Sequence, residues 1–313
     1  MELIGIPLLQ QVADNLYMVR GEGKALFPHC NTYVFDENIL IAFDPQCGIK
    51  TLQAALQELG RDISNIDFII NSHFHLDHTA SNDFLRKKSG AQILIHEVDR
   101  IALENFEEYV KRYGMTDKNL ESEWKTFLRN FGFKEVQPDQ TFKDGDILPG
   151  EFQVIHTPGH APGHCCFYKS KILISGDIDL ASIWFGNLTC NVADYLNSIE
   201  KLKKMDIELI LPSHSDPISE NITQRLELYQ QRLINRAEKI YELIPESPHT
   251  LGEIAEIIFQ SYPEDRRERL QNRQSQFTSH FTRITTLNYL NYLESLGKIK
   301  KDAQNGEEYW ERI

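Results

Sequence analysis

A run of six residues from His73 to His78 constrains this chain more than any other segment. It reads HFHLDH and directly follows a predicted strand at residues 68–71. Because side chains alternate along an extended backbone, His73 and His75 are expected to project to the same side. Asp77 and His78 would then come from the turn into the next helix. Imidazoles and carboxylates are common ligands of zinc and similar ions, so the run predicts a metal site rather than a surface loop rich in histidine.

The region around this run alternates short β-branched or aromatic segments with helix-like stretches, which is typical of an α/β fold. The predicted strands are residues 32–35, 39–43, 68–71, 92–95, 153–156, 166–168, 171–175 and 209–211. Helices are predicted at residues 49–59, 80–88 and 194–204, where apolar residues recur at three- and four-residue intervals. Residues 99–133 have helical periodicity between two predicted strands and indicate a helical insertion that covers the site as a lid.

Further polar residues follow later strands in a fixed order. Asp44 ends the second of two predicted strands, the first of which begins with Asn31-Thr32-Tyr33. The other three residues are His160 in Thr157-Pro158-Gly159-His160, Asp177 in Gly176-Asp177, and His214 in Leu211-Pro212-Ser213-His214. With the HxHxDH run, this ordered set resembles the metallo-β-lactamase superfamily over roughly residues 12–218. The resemblance implies an α/β fold of four layers, an αββα sandwich.

The resemblance also implies a ligand set. His73, His75 and His160 would bind one divalent ion, Asp77, His78 and His214 a second, and Asp177 would bridge the two. Asp77 and Asp177 are also assigned as the catalytic carboxylates. The ions are expected to be Zn²⁺, with iron or manganese as alternatives because the ligand types do not separate them.

Other residues near these motifs are given supporting roles. The superfamily pattern favours His160 over His164 as the ligand, which leaves His164 a structural role. Asp44 is either a carboxylate that orients a ligand histidine or a turn residue before Pro45. Trp184 and Phe185 follow Gly176-Asp177 closely and either line an apolar substrate wall or pack in the core.

Composition narrows the class of protein. The 313 residues carry 33 Lys+Arg against 46 Asp+Glu, a net charge of −13, which disfavours nonspecific binding of nucleic acid over the whole surface. Five cysteines without regular spacing do not indicate a disulfide framework. The first residues show no secretion signal, and no apolar run is long enough to span a membrane. A reducing compartment, the cytoplasm, is therefore expected.

The chain is expected to divide into three parts. Residues 1–220 would form the catalytic domain, residues 221–245 a long connecting helix, and residues 246–313 a small helical module that resembles a winged helix. The module begins with a predicted capping box from Thr250 to Glu253 and ends in two strands around Asn305-Gly306. It would serve a homodimer contact or an RNA contact, the latter through a local face of five arginines: Arg266, Arg267, Arg269, Arg273 and Arg283.

The predicted activity is hydrolysis by a binuclear metal site that uses a metal-bridging hydroxide. The favoured substrate is a small-molecule acyl thioester or ester, since the chain resembles the glyoxalase II type of the superfamily. The appended helical module is similar to that of the β-lactamase-like-protein-2 type, so an endoribonuclease or phosphodiesterase remains the alternative. An iron-dependent oxidoreductase of the persulfide dioxygenase type is a further alternative, which the full set of seven ligands disfavours.

Overall fold

Two β-sheets form the centre of the molecule, seen in a computed structural model that describes residues 8–271, 275–304 and 306–313. The first sheet runs in chain order through β1 Leu9–Ala13, β2 Leu16–Val19, β3 Thr32–Asp36, β4 Leu40–Phe43, β5 Phe68–Ile70, β6 Gln92–His96 and β7 Gln140–Phe142. Its strands pair antiparallel from β1 to β4 and parallel from β4 to β7. The parallel half ends at the edge where the HxHxDH run begins.

The second sheet has the strand order β12-β11-β10-β9-β8. Its strands are β8 Ile147–Leu148, β9 Phe152–His156, β10 Cys165–Lys169, β11 Ile172–Gly176 and β12 Leu209–Pro212. β11 and β12 pair in parallel, and the other neighbours pair antiparallel. The ends of β11 and β12 carry Asp177 and His214 toward the end of β5.

Side-chain alternation explains why both faces of the sheets are covered. Along β4, Ile41 and Phe43 point into the core between the sheets, whereas Leu40 and Ala42 point to the opposite face. Phe43 lies 4.8 Å from Phe152 of the second sheet, measured between ring centroids. All four β4 residues are buried, as expected for a strand between two layers.

Helices cover the outer face of each sheet. On the first sheet lie α2 Ile49–Glu58 and α4 Asn82–Ser89, and on the second lie α8 Val192–Lys203 and α9 Ile222–Leu243. Short helical turns occur at α1 Glu22–Ala25, α3 Leu76–Thr79, Ile63–Asn65 and Pro149–Glu151. The four layers confirm the predicted αββα sandwich.

The segment at residues 99–133 is helical, as predicted. It contains α5 Arg100–Glu104, α6 Phe106–Lys111 and α7 Lys118–Asn130. These helices pack in one buried cluster with Phe74 and Leu76 of the HxHxDH run. The insertion is therefore built onto the loop that carries the predicted ligands.

After α9, the C-terminal region contains three helices and a third sheet. The helices are α10 Leu251–Gln260, α11 Glu264–Gln271 and α12 Ser275–Ser295, and the strands are β13 His249–Thr250, β14 Ile299–Gln304 and β15 Glu307–Arg312. The capping box is present, because the Thr250 hydroxyl accepts from the Glu253 N–H and the Glu253 carboxylate accepts from the Thr250 N–H. The winged-helix resemblance and the division into three parts stay predictions. Arg273, Asn305 and the side chains of Arg266 and Arg269 lie outside the described residues.

Several elements escaped prediction because they are short or weakly patterned. β7 and β8 have three and two residues, and β1 is partly exposed. The helix predicted at residues 80–88 starts at Asn82, because the short turn α3 precedes it. All five cysteines are buried and unpaired. Among the described residues, no helix combines the length and apolar character needed to cross a membrane.

Candidate metal centre

Four ligand atoms converge at the end of β5. His73 Nε2 lies 2.8 Å from His75 Nδ1, which in turn lies 2.9 Å from His160 Nε2. Asp177 Oδ2 lies 3.0 Å from His160 Nε2. The four atoms that these residues offer lie within 4.8 Å of one another, close enough to share one ion.

A second group lies beside the first. Asp77, His78 and His214 each offer one atom, and these three atoms also lie within 4.8 Å of one another. His214 Nε2 is 3.5 Å from Asp77 Oδ2. Asp77 and His78 come from the short helix α3, which turns the chain so that both side chains face His214 at the end of β12.

Asp177 joins the two groups through its two oxygens. Oδ2 faces His160, whereas Oδ1 lies 3.0 Å from His78 Nε2 and 3.3 Å from His214 Nε2. The structure thus brings together all seven residues predicted as ligands, with Asp177 facing both groups. Their assignment to two ions stays a prediction. His164, the alternative to His160, is in neither group.

Two atoms in the centre test whether a cation fits there. His78 Nε2 and Asp177 Oδ1 are buried and form an ion pair at 3.0 Å, but they are not aligned as a hydrogen bond, and neither has another hydrogen-bond partner in the described structure. Buried polar atoms normally find a partner, and a shared cation would satisfy both. The fold and this cluster of imidazoles and carboxylates indicate binding of divalent metal ions.

Neighbouring groups orient the ligand imidazoles. His73 Nδ1 lies 2.9 Å from Ser72 Oγ, and His214 Nδ1 donates to the Ala25 carbonyl at 2.6 Å. Each contact leaves Nε2 directed into the centre. Ser72 and the Ala25 carbonyl were missed from the sequence, because nothing in the local pattern marks them.

Asp44 supports the second group. Its Oδ2 lies 3.0 Å from His78 Nδ1, and its Oδ1 accepts a hydrogen bond from the Ser72 N–H at 2.7 Å. The carboxylate is buried, and the residue has a φ of 47°, in the left-handed region. Of the two roles considered for Asp44, the contacts favour orientation of a ligand histidine.

His164 holds the backbone of Asp177. Its Nδ1 lies 2.9 Å from Thr157 Oγ1, and its Nε2 accepts a hydrogen bond from the Asp177 N–H at 3.1 Å. Burial lowers the pKa of His164 to about 3, so the ring stays neutral and can accept. Gly176, with a φ of 53°, permits this approach, since a Cβ there would lie 2.6 Å from His164 Nε2.

The histidines of the two ligand groups differ in the direction of their pKa shifts. Burial, together with neighbouring imidazoles, lowers the pKa of His73 and His75, so both rings are neutral and can act as ligands. For His78 and His214 burial acts in the same direction, but carboxylates outweigh it. Asp44 and Asp177 raise the pKa of His78, and Asp177 raises that of His214 to about 9.

The neighbouring imidazoles also shift the pKa of the Asp177 carboxyl. Burial would raise its pKa, but His214, His160 and His78 outweigh burial and hold the pKa well below its usual range. Asp177 is therefore a carboxylate at neutral pH. A cation that enters the second group displaces protons from its imidazoles.

A cavity of about 490 Å³ opens onto both ligand groups. Its walls beyond the ligands are mainly aromatic and aliphatic. They are Leu26, Phe27, Leu76, Tyr109, Tyr113, Trp124, Phe127, Leu128, Ser182, Trp184, Phe277, Thr278 and Phe281. Among the described residues no lysine or arginine lines it. The volume lies within the range of small-molecule sites.

Two roles were considered for Trp184 and Phe185, and the structure places the two residues differently. Trp184 lines the cavity, whereas Phe185 is buried against Tyr195 and Tyr289 in the core. The predicted lid supplies Trp124 and Phe127, and α12 supplies Phe277 and Phe281. The contribution of α12 was not expected, because these residues lie more than sixty positions after the last ligand in the chain.

Comparison with known proteins agrees with this geometry. Residues 28–214 match the family model described as the metallo-beta-lactamase superfamily. A hydroxyacylglutathione hydrolase from Haemophilus influenzae is 29% identical over 157 residues, which cover 48% of this chain and 66% of that protein. The chain thus spans just under two thirds of the length of this relative.

Two longer matches extend past the family segment. A beta-lactamase-like protein 2 homolog from Caenorhabditis elegans is 22% identical over 251 residues, or 76% of this chain and 74% of that protein. A crystal structure of a metallo-beta-lactamase family protein from Thermus thermophilus superposes with a TM-score of 0.71 and 21% identity, covering 97% of this chain and 100% of that one. The shared fold therefore includes the C-terminal region.

Proposed function

The chain belongs to the metallo-β-lactamase superfamily, and we propose that it is a metal-dependent hydrolase of esters or thioesters that carry an apolar acyl group. The observation that carries this proposal is the position of the aromatic cavity, which opens directly onto the two ligand groups. A hydrolase needs both parts together: a site that activates water and a pocket that holds the scissile bond against it.

The ligand residues fit a pair of zinc ions. His73, His75 and His160 would hold one ion, Asp77, His78 and His214 the other, with Asp177 between them. Two divalent ions bound there would polarise the scissile carbonyl and lower the pKa of a shared water. Iron and manganese are the alternatives that metal analysis tests.

The chain's own carboxylates have a second role in this proposal. Asp77 and Asp177 belong to the ligand groups, and both also line the cavity. Asp177 is ionised at neutral pH because nearby imidazoles lower its pKa. We assign Asp77 and Asp177 to orient the attacking water by accepting its hydrogens.

The absence of lysine and arginine among the described cavity residues favours an uncharged substrate. Carboxylate and phosphate groups are generally recognised by arginine or lysine. Acyl-glutathione, coenzyme A thioesters and RNA all carry such groups. The cavity therefore favours a neutral ester or thioester over a hydroxyacylglutathione, the substrate for which the Haemophilus relative is named.

A side-by-side assay tests this substrate class. The purified protein would be given p-nitrophenyl hexanoate and the hexanoyl thioester of N-acetylcysteamine, beside S-lactoylglutathione and single-stranded RNA. We expect kcat/KM for the two neutral substrates to exceed that for the glutathione thioester by at least about 10-fold. RNA should remain intact.

Two aspartate variants make the assay specific to the site. Asp77→Ala should reduce ester hydrolysis by about 100-fold or more, since it removes a ligand and an acceptor for water. Asp83→Ala, which removes a carboxylate paired with Lys87 on the surface of α4, should keep full activity. RNA cleavage that is lost in Asp77→Ala, without any ester turnover, would replace this proposal with the endoribonuclease alternative.

A further inference from the structure

Two tyrosine hydroxyls meet beside the ligand groups. Tyr109 lies in α6 and Tyr113 in the turn that follows it, and their Oη atoms are 3.1 Å apart. The Tyr109 Oη also accepts a hydrogen bond from the Leu76 N–H at 3.1 Å. Because Leu76 stands between His75 and Asp77 in the chain, the phenol pair is fixed to the backbone that carries a ligand from each group.

A count of hydrogens leaves one hydroxyl free to donate. The two phenols carry two hydroxyl hydrogens, and one is used between the oxygens. The structure gives neither oxygen a further partner among the residues it describes. Either oxygen can be the donor within this pair. When Tyr109 donates, it still accepts from the Leu76 N–H, and the Tyr113 hydrogen is left without an acceptor.

Ring contacts place Tyr113 at the wall of the cavity, beside a ligand histidine. The Tyr109 ring packs against Phe74 and Phe133 in the buried cluster of the insertion. The Tyr113 ring belongs to the same cluster and lies 5.1 Å from Trp124 and 6.2 Å from His75, between ring centroids. Both of these residues line the cavity, and Tyr113 is the phenol whose ring contacts a ligand histidine.

The position of Tyr113 is secured by α12. The His280 Nε2–H donates to the Tyr113 carbonyl at 2.7 Å, and the Phe281 ring lies 6.3 Å from the Tyr113 ring. Burial raises the pKa of Tyr113 well above its usual value, so the hydroxyl keeps its hydrogen at neutral pH.

We propose that Tyr113 donates a hydrogen bond to the leaving oxygen or sulfur of the substrate as the acyl bond breaks, and that Tyr109 positions it. This inference rests on the proposed hydrolase function. Three other polar groups at the cavity do not offer a free donor: Asp77 and Asp177 accept only, and the Ser182 hydroxyl already donates to Asp179.

A leaving-group series tests this role. Hexanoate esters of alcohols that range from p-nitrophenol to benzyl alcohol and ethanol would be assayed with the wild type and Tyr113→Phe. For the ethyl and benzyl esters we expect kcat to fall about 10- to 100-fold with little change in KM, because their leaving oxygens carry most charge. The p-nitrophenyl ester should change less than about threefold.

Two further variants separate this role from packing. Tyr109→Phe removes the oxygen that holds the Tyr113 hydroxyl, so the same dependence on leaving group is expected with a smaller loss. Tyr289→Phe removes a hydroxyl in α12 that is buried away from the cavity and has no hydrogen-bond partner in the described structure, and should leave every rate unchanged. Metal content and circular dichroism would establish that the variants fold.

The possible results divide clearly. A dependence on the leaving group that steepens in Tyr113→Phe supports the inference. An equal loss for all esters, or no loss, overturns it while the hydrolase function stands. If the wild type hydrolyses none of the esters, the proposed function itself fails and the inference fails with it.

Discussion

One carboxylate, Asp177, connects the two halves of the metal centre. Its Oδ2 faces the group with His160, and its Oδ1 faces His78 and His214. The backbone of Asp177 is fixed by His164, and His78 is oriented from behind by Asp44. The ligand atoms are thus held by contacts that do not depend on the ions themselves, which is how a preorganised metal site is built.

The contact between Asp44 and His78 gives a prediction for metal affinity. In Asp44→Asn the negative charge behind His78 is lost, and the affinity of the second group should fall about 10- to 100-fold. Asparagine tolerates a positive φ about as well as aspartate, so the backbone at this position should not change. Titration with a chelator should remove one ion per chain from the variant at concentrations that leave the wild type loaded.

The control for this experiment is Asp36→Asn. Asp36 pairs with Arg61 at the end of β3, away from the ligands, so this variant should keep wild-type affinity. Equal chelator resistance of Asp44→Asn and the wild type would show that Asp44 does not support the site.

The residues of the metal centre were predictable, whereas those that α12 adds to the cavity were not. The HxHxDH run places four ligands within six positions, so its spacing alone constrains them. Phe277 and Phe281 look like ordinary apolar positions of an amphipathic helix. Their approach to Trp124 and Trp184 depends on how α12 docks, a tertiary contact that no local pattern encodes.

At the scale of elements, the cavity is built from two helical segments added to the sandwich. The insertion supplies Trp124 from α7, and α12 supplies Phe277 and Phe281, whose rings lie 5.3 and 5.4 Å from the ring of Trp124. The sandwich supplies the ligands. Under the proposed function, the metal ligands and the acyl-binding wall would lie on different parts of the chain, so a change in the wall would alter acyl specificity without loss of metal.

Truncation of an α12 side chain should alter the preference for acyl length. Phe281→Ala removes apolar surface from the cavity wall, and each buried methylene contributes about 0.8 kcal/mol. We expect kcat/KM for p-nitrophenyl hexanoate to fall about 10-fold and that for the acetate ester less than about twofold.

The matched control is Phe259→Ala, which truncates a phenylalanine of α10 that does not line the cavity. Its acyl preference should equal that of the wild type. A parallel loss for both esters in Phe281→Ala would argue against an acyl-binding role of α12.

Helices and strands were predictable where hydrophobic periodicity extends over many residues. They were not predictable where a short strand is defined only by its pairing with a neighbour. The amphipathic helix α9 and the capped helix α10 were predictable from their own residues. The two-residue strand β8 is defined by its pairing with β9, and the hairpin of β1 and β2 begins at a partly exposed edge. Such strands carry too few residues for alternation to be recognised.

At the scale of the whole molecule, the two sheets are joined by apolar packing and, at one edge, by a pair of histidines. His96 ends β6 of the first sheet and His156 ends β9 of the second, and their rings stack 4.2 Å apart at an interplanar angle of 11°. Burial and the neighbouring His156 lower the pKa of His96 from 6.5 to about 4. The stacked pair is therefore stable with His96 neutral.

This pair should make the fold sensitive to acid. Between pH 6.5 and about 4 the unfolded chain binds a proton at His96 that the folded chain does not, so stability falls as the pH falls through this range. His96→Gln should lose less stability than the wild type over the same interval. Urea denaturation of both proteins in the presence of a chelator measures this, and parallel pH profiles would contradict it.

Metal stoichiometry measured together with activity decides whether two divalent ions serve this protein as a hydrolytic centre. Protein purified without added metal would be analysed for its elements, stripped with a chelator, and reloaded with zinc during an assay with p-nitrophenyl hexanoate. We predict about two ions per chain, loss of activity on stripping and recovery as zinc returns, with most metal absent from His75→Ala. A single iron per chain, or ester hydrolysis that survives complete removal of metal, would rule out a binuclear hydrolytic centre.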